Sequence, residues 1–178
     1  MKLLRTIRLD PSDTFVFAAA AEPGEWAVAG GFVFCDADPA SLAGKARSAF
    51  RGGFLGIESC GWSTLVQVVE ASESDRAAAV ERLAQQLLAR FGAPDLAAAR
   101  AAAQEEIAFA GSLADHPAGT LIAVHRVADD GAVRETFRTL RAREGAKPLR
   151  AFAFLEVEGE EQPDDEVDLV GLAGRDKP

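Results

Sequence analysis

Residues Ser63 to Pro94 read STLVQVVEASESDRAAAVERLAQQLLARFGAP. Leu65, Val66, Val68 and Val69 form an apolar run broken only by Gln67, the pattern of a strand covered on both faces and so internal to a sheet. A helix follows, because Val80, Leu83, Ala84, Leu87, Leu88 and Phe91 recur at helical spacing while Arg82, Gln85, Gln86 and Arg90 lie mostly off that stripe. Its ends are marked: Ser72 or Ser74 can accept backbone N–H groups at the N-cap, Asp75 suits the positive end of the helix dipole, and Gly92 then Pro94 stop the last turn.

Working forward from Pro94, a second helix runs from about Asp95 to Ala114, with Leu96, Ala99, Ala103, Ile107 and Ala110 on one stripe. Its small residues favour close packing against the first helix as an antiparallel pair. Thr120 to Val127 and Val133 to Arg141 alternate on either side of Asp129-Asp130-Gly131, which reads as a hairpin. A further strand, Leu149 to Glu158, carries Phe152 and Phe154 on one face. The acidic segment 159–168 then has to stay solvated, and Val167 to Leu172 reads as a short edge strand.

Working backward from Ser63, residues 3–34 read as a three-stranded antiparallel meander: Leu3 to Leu9, a run carrying Phe15 and Phe17, and Trp26 to Phe34. Asp10-Pro11-Ser12-Asp13 and Glu22-Pro23-Gly24-Glu25 supply the turns, and Gly30-Gly31 marks a bulge or a close backbone approach. Asp38-Pro39 reads as the start of a short helix ended by Gly52-Gly53. The connection from Phe54 to Trp62 is too rich in glycine for a regular element and reads as a pocket wall. Strands at both ends and two adjacent helices between them predict an α+β fold: a mainly antiparallel sheet of about six or seven strands, with two long helices and one short helix packed on it.

Chain length fits a single domain over 1–178. With 19 basic and 28 acidic residues the formal net charge is -9, which argues against nucleic acid and against an anionic membrane surface as partners. No leader and no membrane-spanning run is apparent, so a cytoplasmic location is expected. Cys35, Cys60, His116 and His125 lack the spacing of a metal site, and neither a metal nor another cofactor is expected.

The segment from Leu4 to Phe17, LRTIRLDPSDTFVF, followed by Glu22-Pro23-Gly24-Glu25-Trp26, resembles an uncharacterised family of small bacterial proteins, as does the region from Phe50 to Trp62. The resemblance carries no activity and no catalytic residue. It implies an accessory role, in the maturation of cofactor-bearing redox enzymes.

Two constellations compete with a purely structural reading. Cys60, between Ser59 and Gly61, would be a nucleophile only with His116 or His125 as its base, whereas a half-buried thiol and a hydrogen-bonded structural His125 are the plainer account. Arg134 and Arg138 share a strand face, and with Arg126 across from them the three guanidinium groups would converge on a carboxylate or phosphate. Against that ligand site, the acidic residues from Glu156 to Asp168 can neutralise the arginines through at least one ion pair. The function expected is therefore a non-catalytic accessory or binding protein, acting on a protein partner or as a homo-oligomer. The alternative is an enzyme or anion-binding protein built on the Phe54 to Trp62 loop and the arginine hairpin.

Overall fold

The computed structural model of the protein describes residues 1–129, 132–142 and 155–158. The acidic segment 159–168, the expected edge strand at Val167 to Leu172, the pair Phe152 and Phe154, and with them the expected ion pairs to residues 159–168, lie outside those residues.

Leu65–Glu70 is indeed an internal strand. In chain order the strands are β1 (Lys2–Ile7), β2 (Trp26–Val28), β3 (Phe54–Gly56), β4 (Trp62–Ser63), β5 (Leu65–Glu70), β6 (Leu121–Asp129), β7 (Ala132–Ala142) and β8 (Leu155–Glu158). They form one sheet in the order β4-β3-β2-β1-β5-β6-β7-β8, and each adjacent pair is antiparallel. The α+β architecture is thus as expected, with eight strands among the described residues against the about six or seven expected. On β5 the burial is one-sided: Val66 and Val68 are buried, while Leu65, Gln67 and Val69 are only partly covered.

The additional strands come from the stretch expected to be an irregular connection. Phe54–Gly56 and Trp62–Ser63 pair as a hairpin, and its glycines serve close approach. A Cβ at Gly61 would lie 2.5 Å from the Ala20 carbonyl carbon, and one at Gly56 would lie 2.7 Å from a Glu25 carboxylate oxygen. Only Thr64 separates β4 from β5, so one bent strand pairs with β3 through its first part and with β1 through its second. The path β1-β2-β3-β4/β5 therefore closes into a small ring, which removes one free edge of the sheet. Asp13 holds the bend, its carboxylate accepting from Thr64 N at 3.2 Å and from Thr64 Oγ1 at 2.6 Å.

The N-terminal meander is not what forms. Ser12–Val16 is a short helix, α1, where a second strand was expected, because Ser12 N donates to Asp10 Oδ1 and the turn continues into Phe17 N donating to Asp13 O. The alternation of Phe15 and Phe17 is misleading: Phe15 is 73% exposed and Phe17 is buried. The third run stops at Val28, since Gly30 takes φ +76° and Gly31–Phe34 wind into a 3-10 turn. Helix α2 begins at Gly44, not at Asp38, and ends at Gly52. Asp38 instead accepts Ala40 N in a local turn.

Helices α3 (Glu73–Arg90) and α4 (Leu96–Leu113) form the expected antiparallel pair. Ser72 and Asp75 make a reciprocal capping box, Asp95 accepts Ala98 N, and Gly92 turns the chain at φ +75°. Val80, Leu83, Ala84 and Leu87 bury against Ala99, Ala103, Ile107 and Ala110, and α4 in turn lies on β1 and β2.

Candidate functional site

The register of the β6–β7 hairpin decides where its charged groups go. Asp129 pairs with Ala132, so Arg126 stands opposite Glu135, while Arg134 stands opposite Val127 and Arg138 opposite Ala123. Paired residues share a face, and successive residues alternate. Arg126 therefore lies on the inner face with Ile122 and Val124, and Arg134 and Arg138 lie on the outer face. The expected convergence of the three arginines does not occur.

Arg126 is fully buried. Its Nε donates to Glu135 Oε1 at 2.5 Å, its Nη1 to the carbonyls of Phe50 (3.1 Å) and Gly53 (2.8 Å), and its Nη2 to the carbonyl of Ala29. The hairpin is thereby tied to the C-terminal end of α2, where a cation meets the negative end of the helix dipole, and to the segment after β2. Four hydrogen bonds to the protein leave this guanidinium little capacity to bind an anion.

Cys60 and His125 also stay apart. Cys60 sits at φ +55° in the β3–β4 turn and packs against the core, whereas His125, read as a hydrogen-bonded structural residue, is exposed on the outer face of β6. Burial pushes the Cys60 thiol up; Arg90 and Arg82 pull it down, and Glu25 and Glu58 push it up further. At neutral pH the group is a thiol, a poor nucleophile, and no imidazole is among the groups acting on it. His116 lies just beyond the Ala114 C-cap of α4, its backbone N–H donating to Ala114 O and its carbonyl accepting from Lys2 Nζ at 2.8 Å. The turn around Cys60 is itself pinned. Buried Glu25 accepts Glu22 N at 2.6 Å and both Glu58 N and Ser59 N at 2.9 Å, and Gln86 Nε2 donates to the Glu58 carbonyl at 2.9 Å.

What the hairpin does build is a cleft of about 340 Å³ between β7, α4 and the 3-10 turn. Phe32, Phe109 and Val133 form its apolar walls, with Ala29 and Gly31 beside them. Glu106 and Glu135 supply its carboxylates. Phe109 is 39% exposed and stands edge-on to Phe137 with ring centroids 5.7 Å apart. Gly31 is required here, because a Cβ would lie 2.9 Å from Glu135 Oε1, which Arg126 holds in place. The close approach read from Gly30-Gly31 lies at Gly30, where a Cβ would be 2.7 Å from Leu55 Cβ.

Glu106 is the unspent group. It lies beside the buried stripe Ala103, Ile107 and Ala110 of α4 and is half-buried. No hydrogen bond from a described residue reaches its carboxylate. Burial holds the Glu106 carboxyl above the usual range; Glu135 adds to this, Arg126 opposes it, and Glu105 adds a little more. Among the described residues at the cleft, two carboxylates stand against the single guanidinium of Arg126. Neither glutamate stood out in the sequence, although the pairing of Asp129 with Ala132 sets Glu135 opposite Arg126.

A family model matches residues 1–158, and its description is a family of unknown function, DUF6505. The chain belongs to that family. No curated protein and no solved structure matches the chain. The resemblance read from Leu4 to Trp26 therefore extends across DUF6505 as far as the end of β8, and no specific function comes with it. Among the described residues no helix is long and apolar enough to cross a membrane, and no three His, Cys, Asp or Glu side chains are grouped to hold a metal ion.

Proposed function

We propose that this DUF6505 protein is a non-catalytic accessory protein of the cytoplasm, acting as a single domain through protein contact at the cleft between α4 and β7. The observation that carries this reading is the make-up of the cleft: exposed apolar walls at Phe109 and Val133 around a carboxylate that the described residues leave without a hydrogen bond. Apolar surface rimming a few convergent polar groups is what a binding site requires. A partner enzyme under maturation, or a second copy of the chain, fits this role. The enzymatic alternative draws no support from a neutral Cys60 thiol and an internally committed Arg126.

Photo-crosslinking in cells tests the reading. A benzoylphenylalanine in place of Phe109 keeps an aromatic ring in the wall; the same group in place of Leu88, an exposed residue on α3, is the control. A discrete adduct from position 109 and none from position 88 is expected, and an adduct of twice the chain mass would identify the partner as a second copy. No adduct from 109, or the same adducts from both positions, rejects the cleft as a contact site.

A further inference from the structure

The cleft's charge narrows what it can receive. Arg126 is enclosed and bonded to Glu135 and to the carbonyls of Ala29, Phe50 and Gly53, so it shows a ligand no free N–H edge of consequence. An anion entering between Phe109 and Val133 would instead meet Glu106 and the solvent-facing part of Glu135. Like charges brought together in a partly desolvated cleft repel. A cation is attracted by the same two groups, and only Glu106 can give it a carboxylate not already hydrogen-bonded within the described residues. A compact, strongly hydrated metal ion would leave the apolar walls unused, and among the described residues these two carboxylates belong to no larger group of ligands. A long aliphatic stem ending in a charged head uses both features, the stem against Phe32, Phe109 and Val133 and the head against the carboxylate. The volume of about 340 Å³ accommodates one such side chain.

We infer that the cleft receives an arginine or lysine side chain of a protein partner, inserted between Phe109 and Val133 with its cationic head on Glu106. This rests on the reading of the cleft as a protein-contact site and names the chemistry of the contact. The head donates to Glu106, where the bond is charge-assisted, and the guanidinium of arginine stacks on the Phe109 ring as a second contribution.

The test uses a capped pentapeptide with alanine at each end, leucines inside them and a central arginine, and matched peptides with norleucine or glutamate at the centre. Titration calorimetry of the full chain at low salt is expected to show the arginine peptide binding at least about tenfold more tightly than the norleucine peptide, with no detectable binding of the glutamate peptide. Glu106→Gln, which removes a charge but no hydrogen bond from the described residues, is expected to bring the arginine peptide down to the norleucine level. Free butylguanidinium should bind more weakly than the peptide. Equal binding of the arginine and norleucine peptides overturns the inference while leaving the cleft as an apolar contact site. So does an arginine peptide insensitive to Glu106→Gln, or no binding of any peptide. Butylguanidinium binding as tightly as the peptide also overturns it, in favour of a small cation. A crosslinking result that finds no adduct at position 109 fails the contact reading itself, whatever the peptides do.

Discussion

At the β3–β4 turn, Glu25 is buried and its carboxylate accepts three backbone N–H groups; in the cleft, Glu106 is half-buried and its carboxylate accepts none from the described residues. Both acids lie against the same curled sheet. The first is consumed in shaping a turn that would otherwise strand the amides of Glu58 and Ser59, and the second is left facing open space. The difference separates polar groups that build the fold from polar groups that remain for a partner. The sequence-level candidates followed the opposite logic, since they ranked residues by chemical type, and the most conspicuous of them, Arg126, is the most completely consumed.

On the cleft side of this comparison Arg126 ties Glu135 to the end of α2 and to the segment after β2, and breaking that tie should have the largest effect. Arg126→Met keeps an unbranched apolar stem but leaves Glu135 without its counter-ion and three carbonyls without donors. Urea unfolding is expected to show a loss of about 3–5 kcal/mol, the usual consequence of removing one partner of a buried pair. A loss below about 1 kcal/mol would mean that the network is not the brace described, because that is the range of an exposed ion pair.

Glu25→Gln comes next. One oxygen remains to accept, while the new amide group confronts donors where it should meet none, so a loss of about 1–3 kcal/mol is expected by the same measurement. The same turn should resist chemistry. Cys35 is exposed, whereas Cys60 is half-buried with its thiol pushed up, so iodoacetamide at neutral pH is expected to label Cys35 about tenfold faster, as read by mass spectrometry. Equal rates would show the turn to be open and would reduce the contrast with the cleft.

How far these contrasts were legible in the sequence depends on the range of the forces involved. The capped helices α3 and α4 and the β6–β7 hairpin are specified by local periodicity and turn chemistry, and both formed as read. Residues 12–16 were misread because a two-residue phenylalanine spacing outweighed the Asp10 and Pro11 contacts that start a helix. Phe54 to Trp62 was misread because its glycines were taken as flexible, when distant groups such as the Ala20 backbone and the Glu25 side chain fix them. The cleft was missed for a related reason. Glu106 and Glu135 meet only once the sheet curls and α4 lies across it, and no window of sequence contains both. The burial of Arg126 was within reach, since the pairing of Asp129 with Ala132 sets the parity that sends it inward and Arg134 outward.

The smallest effect on stability should come from Glu106→Gln, and its sign is informative. A carboxyl whose pKa is raised by folding binds its proton more readily in the folded chain, so stability falls as pH rises from the unfolded glutamate value through the folded one and is level above it. The glutamine variant escapes that loss. It is expected to unfold at a slightly higher temperature than the parent at pH 7, with the difference vanishing under acidic conditions where Glu106 is neutral in both states.

The most direct measurement is a carbon-13 NMR titration of the Glu106 side-chain carboxyl, assigned by its absence in Glu106→Gln, with and without the arginine pentapeptide. The account predicts a midpoint above the ordinary glutamate range in the free protein, set by burial and by Glu135, and a fall in that midpoint when the peptide saturates the cleft. A free-protein midpoint at or below the ordinary range, or one that does not move with the peptide bound, would contradict the claim that Glu106 is an unspent carboxylate awaiting a cation.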